Sequence, residues 1–558
     1  MQIEQCIRAY KYRRIEGGQS MDTTEVAGLH WSAERLIPGF QPVTHLDIYT
    51  VTGASYETNI TLATLVGLVN RSQPKVYLVM GDDEAFWLKE VFGNIPQNHI
   101  PAIGDNALDA LLDTYHDSIK GVVLYDPNLK DTVNIATMIA AQQDGIAVSP
   151  AQASALQSKY SFSTLSDLRT YGWKSRLQAY HWALHNLRSG CSSRLVARLD
   201  PRNMNIRSFL VATRTFIYNL DSRKYLPSPS GLLTNGLLSE RELMRQILNS
   251  FPAGAVHLGW FADESSGVRL TSQVAMPVLA TDLFSNFEVW TAAQPTSVTS
   301  TAPTSPRTNK PALAANTVYI SFTMSDGDNL QYSQHRMKNI WRDPARGTLP
   351  IGWTLSPSLL HAAPLLAEYY RASATPNDEF IAGPSGAGYI FPSHWPAEHL
   401  DTFLQTTGKQ MQAMNMTTLE VLDTDYWQSS GIPFISHIRQ TGMVFFDEEC
   451  QQKFAQALRP FGLQGMLSGA GLKKVEWKSI NGVLFYQNLG LADSVNGTVR
   501  MIKNVVNSRP ERPLFLNVYM LAWKICPSDL KAIVEQLGSS YEVVLPKTLL
   551  AMLAEASA

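Results

Sequence analysis

The stretch SDGDN, residues 325–329, places Asp326 and Asp328 on either side of a glycine, directly after the apolar run YISFTM. Two carboxylates this close together cannot both be buried and charged without a partner. The pattern therefore predicts a metal site, an acid and base pair, or a hydrogen-bonded turn in which Asp326 caps the next helix. Its position after an apolar run favours a functional role.

Polar and aromatic side chains follow other predicted strands in the C-terminal half, including TTLEVL, GMVFF, VLFY and FLNV. Amides and carboxylates pair with hydroxyl groups, while aromatic rings cover the apolar face of a sugar. This mixture predicts a site for a polyhydroxylated ligand. The candidate binding residues are Asn329, Tyr389, His394, Trp395, Asp423, Trp427, Asn488, Tyr519 and Trp523.

The segment AGPSGAGYIFPSHWP, residues 382–396, combines glycines and prolines with aromatic rings. Glycine permits backbone angles closed to other residues and proline fixes its own, so the segment is a shaped loop. Two interpretations remain open for Tyr389, His394 and Trp395. They form a platform for a sugar beside the site, or they pack into a domain interface as a rigid lid.

The elements that must position these residues begin with a βαβ pattern. HLDIYTVTG and KVYLVMG are typical of strands, and ETNITLATLVGLVNRS between them is typical of a helix that starts at Thr or Asn. The same alternation continues to about residue 155, residues 156–200 are predicted to be helical, and RSFLVATRTFIYNL, AVHLGWFADE and MPVLATDLF are predicted strands. No GxGxxG follows the first strand, so nucleotide binding is not indicated.

Beyond a stretch rich in Pro, Ser and Thr, seven or eight strand-like runs alternate with helical segments, which is the pattern of a parallel (β/α) barrel. The predicted fold class is α/β and multidomain, with open N-terminal α/β layers and a C-terminal (β/α) barrel-like domain. The predicted divisions are an N-terminal domain 1–155, a middle region 156–293, a linker 294–316 and a candidate catalytic domain 317–558.

Composition limits the classes of partner. The 558 residues carry 46 basic and 48 acidic side chains, which gives no electrostatic footprint for nucleic acid or an anionic membrane. No window predicts a secretion signal or a membrane span, and the four cysteines lack CxxC spacing, so we expect a cytoplasmic protein with free thiols. No cofactor is predicted, and the sequence does not indicate an oligomeric state.

GAGYIFP, with Gly386, Gly388, Tyr389 and Pro392, resembles the signature of the GxGYxYP family, whose members are described as glycoside hydrolases on the basis of their fold. Phe391 stands where the signature has tyrosine. Residues 62–79, LGWFADE with LATDLFSNFEVW, and SDGDN also resemble parts of that family, so the resemblance spans most of the chain. It implies a carbohydrate-active barrel and a carbohydrate or glycoside ligand.

Glycoside hydrolysis requires two carboxyl groups, one as the acid and one as the base or nucleophile. Asp326 or Asp328 is predicted to supply one and Asp425 the other. Glu448 and Glu264 are held in reserve, and Glu264 would have to reach the site across a domain interface. The sequence does not assign the two roles among them.

Two alternatives of other classes stay open. A metal-dependent hydrolase similar to polysaccharide deacetylases would use Asp326 with His394 and His399, although a spacing of five suits one helical face poorly. His181 and His185 share a helical face but lack the glutamate of HExxH, so we predict no metal site there. The other alternative is a carbohydrate-binding protein without turnover.

Overall fold

The computed structural model describes residues 29–32, 34–226, 238–295, 311–326, 329–425, 443–444, 446–469 and 476–557. The side chains of residues 424, 425, 443 and 444 are outside this description. Asp328, Trp427, the side chain of Asp425 and most of the predicted linker therefore lie outside the described residues.

Three parallel sheets form the N-terminal half. Their strands are β1 Leu46–Thr50, β2 Val76–Val79, β3 Gln97–Ile103, β4 Gly121–Leu124, β5 Gly145–Val148, β6 Ser163–Asp167, β7 Leu195–Arg198, β8 Phe216–Tyr218, β9 Val256–Gly259 and β10 Val278–Leu279. The strand orders are β2-β1-β3, β5-β4-β6 and β10-β9-β7-β8. The helices are Tyr56–Val69, Asp82–Glu90, Asn106–Tyr115, Thr132–Gln143, Pro150–Tyr160, Arg176–Asn186, Arg207–Ala212, Glu240–Asn249, Glu264–Ser272 and Phe287–Ala292.

Apolar strands of this kind form because helices cover the faces of a parallel sheet. The first helix begins at Tyr56, two residues before the expected Thr58, because the Ser55 side chain caps it by accepting a hydrogen bond from the Thr58 amide. The second sheet continues past residue 155, because β6 pairs with β4. Residues 156–200 are therefore not helical throughout.

The predicted strand RSFLVATRTFIYNL is wrong in its first half. Residues Arg207–Ala212 form a helix that is buried throughout, and only Phe216–Tyr218 forms a strand. A short apolar run that is buried on every side has the same composition in either conformation, so its pattern does not distinguish helix from strand.

A larger sheet forms the C-terminal half. The strands are β11 Val318–Met324, β12 Ile351–Leu355, β13 Asp378–Ala382, β14 Thr418–Val421, β15 Thr424–Asp425, β16 Met443–Val444, β17 Gly465–Ser468, β18 Trp477–Ile480, β19 Val483–Gln487, β20 Leu489–Ala492, β21 Leu514–Met520 and β22 Tyr541–Val543. The helices are Leu330–Gln334, Arg336–Trp341, Leu359–Ala362, Pro364–Ala372, Ala397–Ala413, Glu448–Leu458, Val495–Ser508, Pro527–Leu537 and Pro546–Ala556.

This sheet has the order β18-β19-β17-β14-β13-β12-β11-β21-β20, with β22 also paired to β11, and it is curled into a half-barrel. Its pairings are parallel except that of β18 with β19. Only Asn488 separates β19 from β20 in the chain, although β19 is next to one end of the order and β20 is the other end. The carboxyl ends of the parallel strands thus gather on one side.

One predicted strand of this sheet is wrong. The run GMVFF supplies only β16, which pairs with β15 in a separate antiparallel hairpin. Its place between β14 and β19 is taken by Gly465–Ser468, which the sequence analysis missed. No helix within the described ranges is both long and apolar enough to span a bilayer.

Candidate functional site at the junction of the third and C-terminal sheets

The loop that contains Tyr389 joins the third sheet to the C-terminal sheet. The Tyr389 amide donates to the Val278 carbonyl at 2.9 Å, and the Val278 amide donates to the Tyr389 carbonyl at 3.1 Å. A second backbone bridge links Ala280 to Asn329. These bridges hold the carboxyl end of β10 against the residues that follow β11.

Two glycines make this close approach possible. Gly386 has a φ of +134°, a conformation that L side chains rarely adopt. A Cβ atom on Gly388 would lie 2.9 Å from Cβ of Pro277, closer than carbon atoms pack. The glycines therefore let the loop backbone press on β10 and fix the direction of the Tyr389 side chain.

Tyr389 is hydrogen-bonded to Glu264, which is the first residue of the helix after β9. Its hydroxyl donates to Glu264 Oε1 at 2.9 Å. Burial raises the pKa of Glu264, and the Tyr389 hydrogen bond opposes that rise. The negative charges of Asp326 and Asp263 raise the pKa further, by smaller amounts. Glu264 nevertheless keeps an exposed surface. A carboxyl group that is desolvated and still accessible lies within a concave surface.

Asp326 follows β11 and has a φ of +73°. Burial raises the pKa of its carboxyl group, and hydrogen bonds from the Ser325 hydroxyl and the Trp523 indole oppose the rise by favouring the charged form. Asp326 does not cap the next helix; that role belongs to Asn329, whose Oδ1 accepts from the Tyr332 amide at 3.0 Å. The prediction that Asp326 caps the next helix is therefore wrong.

Glu420 on β14 is a third carboxyl group of this site, and the sequence analysis missed it. It is fully buried, and both of its carboxyl oxygens lack an ordinary hydrogen-bond partner among the described residues. Burial raises its pKa to about 8; the Tyr519 hydroxyl opposes that rise, and the charge of Asp326, the smallest of the three effects, adds to it. A single acidic residue inside the apolar run TTLEVL was the signal that could have identified it.

Two predicted binding residues, Tyr519 and Trp523, lie beside these carboxyl groups, and a third, Asn488, lies within the sheet. Tyr519 is buried on β21 next to Glu420. Asn488 is buried and its Oδ1 accepts from Asn517 Nδ2 at 2.5 Å, so it braces the interior of the sheet. Trp523 is 45% exposed, with its ring edge-to-face on Tyr332 at 5.5 Å.

Trp395 is a core residue, which disagrees with its predicted place in a sugar platform. Trp395 is buried and its ring lies 5.1 Å from that of Phe403. His394 is half-buried, and burial lowers its pKa. Asp423 is buried and accepts from the Ser393 amide at 2.9 Å and hydroxyl at 2.7 Å, so it anchors the loop.

Glu448 lies apart from this site. It starts the helix Glu448–Leu458 on the surface and forms an ion pair with Lys478 at 3.2 Å. The strand predicted before it is the reason: GMVFF is not part of the large sheet, so Glu448 does not follow one of that sheet's strands. This corrects its place among the candidate acids.

The described residues contain no group of three or more His, Cys, Asp and Glu side chains that could hold a metal ion. His399 is exposed at the start of its helix. His181 and His185 are ring neighbours at 4.4 Å, and His185 Nδ1 contacts the His181 carbonyl at 2.8 Å. The geometry thus gives the deacetylase alternative no histidine ligands beside Asp326.

Comparison with known protein families accounts for most of the chain. Residues 45–117, 119–191 and 193–292 match the first, second and third domains of GxGYxYP proteins, and residues 316–554 match the "GxGYxYP putative glycoside hydrolase C-terminal domain". The chain belongs to the GxGYxYP family. In this family's terms, Glu264 is in the third domain, and Asp326, Tyr389 and Glu420 are in the C-terminal domain.

The GxGYxYP chain is also similar to a crystal structure described as a "putative hydrolase" from Bacteroides thetaiotaomicron VPI-5482. The two sequences are 22% identical, the match covers 95% of this chain and 99% of the other, and the TM-score is 0.75. At this identity the likeness shows a shared fold. No curated protein matches the chain.

Proposed function

We propose that this chain hydrolyses a glycosidic bond in a carbohydrate or glycoside, with the reaction at the junction of its third and C-terminal domains. The supporting observation is the convergence of Glu264 and Asp326 from different domains, close enough for the charge of Asp326 to raise the pKa of Glu264. Both residues keep accessible surface. Paired carboxyl groups are what this reaction requires, and the family description favours the same chemistry.

The surroundings of the two carboxyl groups favour a different role for each. Asp326 is approached by two donors, the Ser325 hydroxyl and the Trp523 indole, which favour its charged form. Glu264 has one donor, Tyr389, and a neighbouring negative charge that favours its protonated form. Glu264 is therefore the acid that protonates the leaving oxygen. Asp326 is the base or nucleophile on the other side of the bond.

Trp523 supplies the binding surface for the sugar in this proposal. Its ring is 45% exposed while its indole N–H reaches Asp326. An exposed aromatic ring beside a catalytic carboxylate stacks on the apolar face of a pyranose and places the anomeric carbon near the acid groups. The buried rings of Tyr389 and Trp395 have no such role.

A screen of glycans and aryl glycosides tests the proposal with wild type, Glu264→Gln and Asp326→Asn side by side. Each substitution should lower kcat by about 100- to 10,000-fold, the usual contribution of a general acid or base. Glu448→Gln is the matched control, because it makes the same change on the exposed surface and should retain wild-type activity.

Wild-type turnover by both site variants would overturn the proposal. If the wild type binds a glycan without forming product, and Asp326→Asn binds it equally well, the chain is a carbohydrate-binding protein instead. For an active enzyme, the anomeric configuration of the first product distinguishes a base at Asp326 from a nucleophile, because inversion and retention follow from those two roles.

A further inference from the structure

Glu420 occupies a space that the surrounding backbone leaves for it. A Cβ atom on Gly383, at the end of β13, would lie 2.9 Å from Glu420 Cβ and 3.0 Å from Oε2. On the other side, a Cβ atom on Gly469 after β17 would lie 3.4 Å from Oε1. A larger residue at Gly383 would displace the carboxyl group, so the neighbouring strands accommodate its present position.

The position of Glu420 is unfavourable for folding by itself. Its side chain is fully buried, and the described residues offer its two oxygens no hydrogen bond of ordinary geometry. Burying an ionised carboxylate in this way costs several kcal/mol, so the group retains its proton instead. An apolar residue would fill the same space with a smaller free-energy cost of burial, which indicates that the carboxyl group has a role in the site.

Two titratable groups face Glu420. They are Asp326, which follows β11, and Tyr519 on β21. Gly383, directly after β13, and Gly469, directly after β17, lie beside its carboxyl group. Asp326 has two donors, Ser325 and Trp523, whereas Glu420 has one, the Tyr519 hydroxyl, and burial still raises the pKa of Glu420.

We propose that Glu420 is a positioning residue that keeps its proton while Asp326 is ionised, so that the two carboxyl groups carry one negative charge and that charge resides on Asp326. This inference rests on the proposed function for its purpose, because a base or nucleophile must be ionised to act. Loss of the Glu420 proton places a second charge next to Asp326 and favours protonation of Asp326.

Infrared difference spectroscopy of the full chain tests the shared charge without a substrate. The carbonyl stretch of a protonated carboxylic acid should be present in wild type at neutral pH and absent in Glu420→Gln, which keeps the shape of the neutral acid. In Asp326→Asn the same band should titrate at lower pH than in wild type, since the charge that raises the pKa of Glu420 is gone.

Glu379 provides the matched control. It is a buried glutamate on β13 with a pKa raised by burial to about 7, but its oxygens accept from the Thr418 hydroxyl at 3.0 Å and the Lys547 amide at 2.9 Å. Its band, identified with Glu379→Gln, should not move in Asp326→Asn.

An unmoved Glu420 band in Asp326→Asn overturns the inference, as does a neutral-pH spectrum that Glu420→Gln leaves unchanged. If Glu420→Gln fails to fold, wild type and Asp326→Asn still test the inference. The pH at which the carbonyl band disappears on the alkaline side is measured in both proteins. If the titrations of Glu420 and Asp326 are coupled but no glycoside is hydrolysed, only the proposed function is refuted. If a glycoside is hydrolysed but the two titrations are independent, only this inference is refuted.

Discussion

Replacing Tyr389 by phenylalanine removes one hydroxyl group and leaves a ring that is already buried. That hydroxyl donates to Glu264 Oε1 at 2.9 Å. A hydrogen bond to a charged group contributes about 1.5–3 kcal/mol. Glu264 becomes charged as its proton moves to the leaving oxygen, so the hydrogen bond is strongest in the transition state. At about 1.4 kcal/mol for each tenfold change in rate, Tyr389→Phe should lose about 10- to 150-fold in kcat/KM.

The pH profile of kcat/KM gives a second readout of the same change. The Tyr389 hydrogen bond opposes the rise in the pKa of Glu264, so its loss raises that pKa further. The acid must be protonated to act, and the alkaline limb of the profile should therefore move to higher pH. The measurement uses the best aryl glycoside from the screen, over the whole range in which the protein stays folded.

Tyr218→Phe is a suitable control because it makes the same change elsewhere in the third sheet. Tyr218 is buried on β8, at the edge of that sheet, and its hydroxyl lies 2.8 Å from His257 Nε2. The control should alter thermal stability and leave the pH profile in place. A Tyr389→Phe variant with the wild-type kcat/KM and the wild-type profile would refute the assignment of Glu264 as the acid.

Three further changes test other parts of the structure. His335 is hydrogen-bonded at both ring nitrogens, to Asp83 at 2.6 Å and to a main-chain carbonyl at 3.0 Å, and these bonds raise its pKa although burial alone would lower it. The protonated His335 therefore stabilises the fold fully below the unfolded pKa of about 6.5, and this stabilisation is lost as the pH rises through the folded pKa. We expect His335→Gln to lower Tm more at acidic pH than at alkaline pH. Trp523→Ala should weaken glycan binding in calorimetry with Tm unchanged, whereas Trp395→Ala should cost about 3–5 kcal/mol in urea unfolding. Gly388→Ala should cost about 1–3 kcal/mol in the same assay by overpacking β10, and equal stability would contradict the close contact described here.

Much of the fold could be predicted from the sequence because its parallel strands are apolar runs separated by helices. KVYLVMG, GVVLYDP and TVYISFTM contain strands of the structure, and Asp326 lies where the pattern placed it. GMVFF and GMLS show the limit of this reasoning. Both are short apolar runs, and only the tertiary pairing with β14 and β19 determines which of them enters the sheet.

The site was predictable in part for a related reason. Position after a strand singled out Asp326 as a candidate, and the reserve residue Glu264 lies close enough to it for the charge of Asp326 to raise the pKa of Glu264. Glu420 lies within a strand, where alternation does not reveal whether a charged side chain faces a ligand, a partner or solvent. Trp395 and Trp523 are both loop tryptophans, and only packing separates the buried ring from the exposed one.

The backbone bridges from Val278 to Tyr389 and from Ala280 to Asn329 have a consequence for how the protein can be divided. The proposed acid and its charged counterpart come from opposite sides of this seam, so residues 316–554 produced as an isolated fragment would carry Asp326 without Glu264. A chimera whose C-terminal fragment comes from a distant relative would take only one carboxyl group of the reactive pair from that relative. Its activity would depend on whether the relative's loop at the position of Tyr389 still packs against β10. Selection for catalysis would accordingly act on the fit between the two pieces as strongly as on either piece alone.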